Sequence, residues 1–180
     1  MKIAVLGSGS WATALAKIVM NNVDEINWYI RKQETIDEFI ESRRNPNHLE
    51  WAYFDTNKIY FSSDINEVLD LSNTIIVAIP SPYVKSCLDE INIDISHKKI
   101  ISAVKGMIPD EHVLVTDYIH EHFGVPHENI GVIAGPCHAE EIALERLSYL
   151  TIGGISEENT QAWSELLTTK FVHVTRSNDV

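Results

Sequence analysis

Lys2-Ile3-Ala4-Val5-Leu6-Gly7-Ser8-Gly9-Ser10-Trp11-Ala12-Thr13-Ala14-Leu15-Ala16 is the stretch that decides the fold. A short apolar run stops at Gly-x-Gly-x-x-Ala and passes at once into an alanine-rich segment of helical period. Gly7 permits a tight turn out of a strand, Gly9 lets the backbone approach a pyrophosphate without a Cβ in the way, and the small Ala12 lets the helix lie close to the strand it left. The helix starts near Ser10 or Trp11, so its free N–H groups and positive dipole end face the anion. Trp11, Ala14, Leu15, Ile18 and Val19 follow the i, i+3, i+4, i+7, i+8 spacing of a core-facing helix. By itself such a motif also fits a glycine-softened loop. Here it follows an apolar run, opens an amphipathic helix and is followed by a second strand-like run, Ile26-Asn27-Trp28-Tyr29-Ile30, which closes a βαβ unit in about thirty residues.

The same alternation continues outward. Strand-like runs rich in Ile and Val recur at 2–6, 26–31, 58–62, 74–79, 99–104, 130–134, 149–153 and 171–175. Most are continuously apolar, as strands buried on both faces of a parallel sheet are. Between them lie helical patterns at 10–22, 34–43, 64–71, 82–91, 110–122, 138–146 and 157–169, with Asp64 and Glu67 reading as a capping pair. The expected fold is α/β: a doubly wound, mostly parallel Rossmann-type sheet with helices on both faces. Residues 1–180 form one dinucleotide-binding domain, with the ligand crevice outside the carboxyl ends of the strands. The segment 42–49, with two arginines and Pro46, is the most loop-like part; it reads as a solvated connection or as a cover for the adenine end.

Composition narrows the class. Fourteen basic against twenty-six acidic residues give a net charge of −12, which repels polyanions and argues against nucleic acid as a partner. Cys87 and Cys137 stand far apart without metal-ligand spacing, so no metal site is expected. Two isolated cysteines, no signal peptide and no apolar run of membrane-spanning length make a cytoplasmic protein without an integral membrane segment the expectation.

Strand ends supply the remaining candidates. An acidic residue at the end of the second strand selects an unphosphorylated ribose, whereas an arginine accommodates a 2′-phosphate. This chain has Arg31 and Lys32 there, with the first carboxylate delayed to Glu34, which favours NADP over NAD by charge; the alternative is a pair of exposed loop cations. Tyr83, after two prolines, either stacks on a ring of the cofactor or packs on the sheet. Lys105 ends the run 99–104 and either snorkels to water or faces the nicotinamide region. At Ile133-Ala134-Gly135-Pro136-Cys137-His138-Ala139-Glu140-Glu141 a strand stops at glycine, proline takes an early helical position and carboxylates fill the first turn. Cys137 reads as a small residue lining the site; a Cys137–His138 nucleophile pair is discounted because neighbours in sequence rarely face each other and no third orienting group is present.

Taken in order, GSGSWATALA, AVKGM and AGPCHAEEIA, with the segment DLSNTIIVAIPS between the first two, resemble the NAD(P)-dependent glycerol-3-phosphate dehydrogenases over essentially the whole chain. The resemblance implies cofactor binding by Gly7, Gly9, Ser10, Trp11 and Ala12, with Ser10 and Trp11 at the pyrophosphate and Arg31 at the adenosine end. It implies that Lys105 touches nicotinamide and substrate, that Gly135 and Cys137 line the substrate pocket, and that Ala139 meets the cofactor. Three departures stand out: Ala12 replaces the usual glycine, Cys137 the usual serine or threonine, and the family's Tyr-Leu-Pro after the Asn47 region is absent.

The family's catalytic lysine and the residues that hold the substrate phosphate belong to a C-terminal helical domain, which would follow Val180. The expectation is therefore a cofactor domain with no catalytic residue of its own and no activity alone. The parent would interconvert sn-glycerol 3-phosphate and dihydroxyacetone phosphate, feed glycerophospholipid synthesis, and be a candidate homodimer. The rival readings are another two-domain NAD(P)-dependent dehydrogenase and a non-catalytic nucleotide-sensing module. A methyltransferase is weaker, because Leu6 rather than an acidic residue precedes Gly7.

Overall fold

The computed structural model describes residues 1–109 and 111–179. Its strands are β1 (Ile3–Leu6), β2 (Ile26–Tyr29), β3 (Ile59–Ser62), β4 (Thr74–Val77), β5 (Lys99–Ser102), β6 (Met107–Ile108), β7 (Val113–Leu114), β8 (Ile130–Ala134), β9 (Ser148–Gly154) and β10 (Val172–Ser177). Its α-helices are α1 (Ser10–Val19), α2 (Gln33–Ser42), α3 (Ile65–Asp70), α4 (Ser81–Leu88), α5 (Val115–Phe123), α6 (Ala139–Ala143) and α7 (Glu157–Leu167).

One sheet runs in the order β10-β9-β8-β5-β4-β1-β2-β3. From β3 to β8 every ladder is parallel; β9 joins β8 antiparallel, and β10 pairs parallel to β9. The expected mostly parallel sheet is therefore observed, with a reversed pair at one edge. Successive strand residues point to opposite faces, so Ile3 and Val5 enter one core and Ala4 and Leu6 the other. The first core packs under α1, α2, α6 and α7, and the second under α3, α4 and α5. Burial on both faces is why the strands read as continuous apolar runs.

Because β1 lies between β2 and β4, the chain winds outward through β2 and β3 and then crosses back to β4. The crevice beyond the carboxyl ends of β1 and β4 is the topological switch point, where open α/β sheets bind ligands.

Three local departures have physical causes. The helical pattern expected over 110–122 starts only at Val115, behind a short β6–β7 hairpin; Asp110 lies outside the described residues. Pro109 drives the residue before it out of helical conformation, and His112 is left-handed (φ 54°), so the chain turns back before a helix can begin. Pro136 precedes the helix instead of entering it, since α6 begins at Ala139 behind the cap residue His138. Asp64 caps α3 by accepting from the Asn66 N–H, as expected. Glu67, however, accepts from the Ser62 hydroxyl at 2.6 Å, and that hydroxyl in turn receives the Asp64 N–H.

Candidate functional site

The site is built where β1 ends. Gly7 has φ +117°, and a Cβ there would lie 2.5 Å from the Ala78 carbonyl oxygen at the end of β4. Only glycine fits both the turn and this close approach. Gly9 caps α1 in an extended conformation, and a Cβ added to it would meet nothing within 4 Å. The Thr13 N–H bonds back to the Gly9 carbonyl, leaving the N–H groups of Ser10, Trp11 and Ala12 without an intrahelical partner. Those groups and the helix dipole make a position for an anion. Ala12 itself is fully buried and serves the packing of α1 on the sheet.

The turn is braced from two directions. Trp28 on β2 donates its indole N–H to the Gly7 carbonyl at 2.7 Å, and its ring stands among Phe39, Phe54 and Phe61. From the loop after α2, the buried Asn45 amide donates to the Ser8 carbonyl (2.9 Å) and to the Thr13 hydroxyl (2.8 Å). Three residues on, His48 Nδ1 lies 3.2 Å from the Ser10 hydroxyl. The segment 42–49 is thus a strap over the glycine turn and not a solvated connection. Trp28, Asn45 and His48 were missed in the sequence. The one signal for the strap was Asn45-Pro46, a residue pair that suits a fixed turn.

Two cavities flank the turn. The first, of about 230 Å³, is lined by Gly7, Gly9, Arg31, Tyr83 and Glu90 among others, over a floor that includes Tyr29 and Cys87. Burial, before any neighbouring charge, pushes the Cys87 thiol up to about 11 and the Tyr29 phenol above its ordinary range, so both are neutral floor groups at pH 7. The second, of about 580 Å³, is bounded by Ser10, Trp11, Lys105, Cys137 and Ala139, with Pro80 and Glu140 also on its wall.

The structure thus gathers most of the sequence candidates around one crevice. Arg31 borders the first cavity, whereas Lys32 is the exposed cap residue of α2 and lines neither. Tyr83 is 58% exposed and faces the first cavity, so it does not pack on the sheet. Lys105 Nζ lies 5.5 Å from the centroid of the Trp11 ring, a cation–π arrangement on the wall of the second cavity. Cys137 lines that cavity, but its thiol donates to the Tyr149 carbonyl at 2.6 Å and burial raises its pKa. Both facts make it a poor nucleophile. Gly135 lines neither cavity; its φ of +135° and its approach to the Tyr149 carbonyl oxygen, 2.8 Å from an added Cβ, belong to the turn between β8 and α6.

Chemically, the arrangement suits an elongated ligand with a central anionic group at the α1 N-terminus and a ring system on each side. A dinucleotide fits: its diphosphate would meet the N–H groups of Ser10, Trp11 and Ala12, and the open face of Gly9 leaves room for it. Among the described residues no three His, Cys, Asp or Glu side chains could hold a metal ion, and no helix is long and apolar enough to cross a membrane.

Comparison with known proteins agrees with this geometry. Residues 2–162 match the family described as NAD-dependent glycerol-3-phosphate dehydrogenase N-terminus. A glycerol-3-phosphate dehydrogenase [NAD(P)+] of Oceanobacillus iheyensis is 29% identical over 99% of this chain and 52% of its own length. Its counterpart in Bacillus pumilus is 32% identical over 89% of this chain and 46% of its own length. The solved glycerol-3-phosphate dehydrogenase of Plasmodium falciparum superposes with a TM-score of 0.88 at 28% identity, covering 99% of this chain and 53% of that one. The chain spans about half the length of the curated relatives it matches. With residues 2–162 of its 180 matched, the chain belongs to the NAD-dependent glycerol-3-phosphate dehydrogenase family, of which it matches the N-terminal part.

Proposed function

We propose that this chain is the cofactor-binding domain of an enzyme that interconverts sn-glycerol 3-phosphate and dihydroxyacetone phosphate, supplying glycerophospholipid synthesis in the cytoplasm. The observation that carries the reading is the helix N-terminus at Ser10–Ala12, which no side chain caps, with Ser10, Trp11 and Lys105 on the wall of one cavity. When bound, the nicotinamide supplies or accepts the hydride.

The chain's own residues do the rest. The N–H groups of Ser10, Trp11 and Ala12 hold the diphosphate, and the absent Cβ of Gly9 lets it approach. Arg31 and Tyr83 take the adenosine side, with Arg31 placed to pair with a 2′-phosphate. Lys105, steadied over Trp11, presents a positive charge to the substrate carbonyl oxygen, where charge develops during reduction. Cys137 and Ala139 shape the wall beside it, and Gly135 sets the turn that places Cys137. No residue of this chain is assigned the proton transfer to that oxygen. A helical domain beyond residue 180 would supply it, and pairing of two such complete chains into a homodimer belongs to the same proposal.

Titration of the chain with NADPH and NADH, read by quenching of tryptophan fluorescence, tests the cofactor half of the reading. NADPH binds at least as tightly as NADH, and Arg31→Ala weakens NADPH by about 10- to 100-fold while changing NADH little, the size of one charge-assisted contact. A strong NADH preference in the unmodified chain overturns the assignment of Arg31. For the enzymatic half, a protein containing this chain and the remaining length of its relatives consumes NADPH on addition of dihydroxyacetone phosphate. Absence of turnover there, with dinucleotide bound, favours a nucleotide-sensing module.

A further inference from the structure

The two cavities share four wall residues, Gly9, His48, Ile79 and Pro80, and of these only His48 titrates. Arg31 and Glu90 line the first cavity alone; Lys105, His138 and Glu140 line the second alone. His48 therefore stands midway along the crevice, half-buried, with Nδ1 3.2 Å from the hydroxyl of the first residue of α1. Its place is beside the first N–H groups of α1, with Arg31 in the cavity on one side and Lys105 in the cavity on the other.

We propose that His48 couples dinucleotide binding to proton uptake: its imidazole, hydrogen-bonded to Ser10 in the free protein, gains a proton when a diphosphate occupies the α1 N-terminus. This rests on the dinucleotide reading and goes beyond it. Imidazole is the side chain whose charge ordinarily changes between about pH 5 and 8. The positive end of α1, with Arg31 and Lys105 on the cavity walls, already surrounds this point with positive charge in the free protein. Glu90 and Glu140 act in the other direction with or without ligand, His138 stands on the wall of the second cavity alone, and Tyr29, Cys87 and Cys137 are neutral at pH 7. A diphosphate reverses the balance by placing negative charge against the imidazole. The sign follows from linkage: a proton held more tightly in the complex makes affinity rise as pH falls and weaken as pH rises. Each unit by which the imidazole pKa rises on binding corresponds to about a tenfold change in Kd.

NADH is the probe, because it lacks the 2′-phosphate, whose own ionisation near pH 6 would overlap. Titrating this chain with NADH from about pH 6 to about pH 8 should show Kd rising about tenfold. Calorimetry near pH 7 in two buffers of different ionisation heat should show net proton uptake on binding. His48→Gln should bind with the weaker, high-pH affinity throughout and take up no proton, whereas His138→Gln should keep the slope. A flat Kd without proton uptake overturns the proposal, as does a slope that survives His48→Gln or disappears with His138→Gln. Should His48→Gln fail to fold, the proton count on the unmodified chain and the variant His48→Phe decide in its place. Failure to bind NADH at any pH overturns the dinucleotide reading itself; binding without proton linkage overturns this inference alone.

Discussion

Gly7 and Gly9 stand two residues apart in one turn and carry different constraints. At Gly7 a methyl group would press on the Ala78 carbonyl in a backbone conformation unsuited to L-residues. Gly7→Ala should therefore cost about 2–5 kcal/mol in urea denaturation, from strain and overpacking together. At Gly9 a methyl group meets nothing, so Gly9→Ala should change stability by less than about 1 kcal/mol. It should nonetheless weaken NADH binding by at least about tenfold, because the added carbon occupies the approach to the helix N-terminus. Equal effects of Gly9→Ala on stability and binding would contradict the division of labour. These glycines were legible in the sequence because their reasons are local. Asn45 and His48 were not, since their partners Ser8 and Ser10 lie 37 and 38 residues away and no periodicity announces such a bond.

Among the elements, the strap from 42 to 49 does what neither β1 nor α1 can do alone. The Asn45 side chain is fully buried, gives its amide hydrogens to Ser8 and Thr13, and accepts the Asn47 N–H. Asn45→Ala leaves those groups unpaired inside the protein and should cost about 2–3 kcal/mol, with dinucleotide affinity falling as the turn loosens. A stable variant with unchanged NADH affinity would show the strap to be passive. On the opposite face, α4 and α5 are tied by the Tyr118 hydroxyl, which donates to Asp89 at 2.7 Å and accepts from Lys85, while Lys85 also pairs with Asp89 and with Glu111 in the turn between β6 and β7. The Tyr118 bond, reinforced by Lys85, holds the Asp89 carboxyl below the usual carboxylate range. A carboxyl depressed in the folded state adds stability above its unfolded pKa of about 3.9 and loses it as pH falls through the folded value. Asp89→Asn should thus lower the urea midpoint slightly near pH 6, and the difference should shrink as pH falls below about 3.9 and vanish once the folded-state carboxyl is protonated. The helices of this tie were readable from their apolar spacing. The β6–β7 hairpin ahead of α5 was not, because two-residue strands carry no period and only Pro109 hinted at the break.

For the molecule as a whole, the parallel core from β3 to β8 was legible because buried strands must be apolar and the intervening helices amphipathic. The reversed edge of β9 and β10 was not, since an apolar run reads the same in either direction. Two cores, one on each face of the sheet, are packed among the described residues. The chain should accordingly bind dinucleotide alone yet reduce no dihydroxyacetone phosphate; measurable turnover by the isolated chain would contradict the assignment of proton transfer to residues beyond it. The central claim is that the first turn of α1 receives a diphosphate. A crystal structure of the chain with NADPH tests it most directly. The account predicts diphosphate oxygens on the N–H groups of Ser10 and Trp11, between Gly9 and His48, with the adenosine toward Arg31 and the nicotinamide toward Lys105. An empty turn, or a dinucleotide bound elsewhere on the sheet, would contradict it.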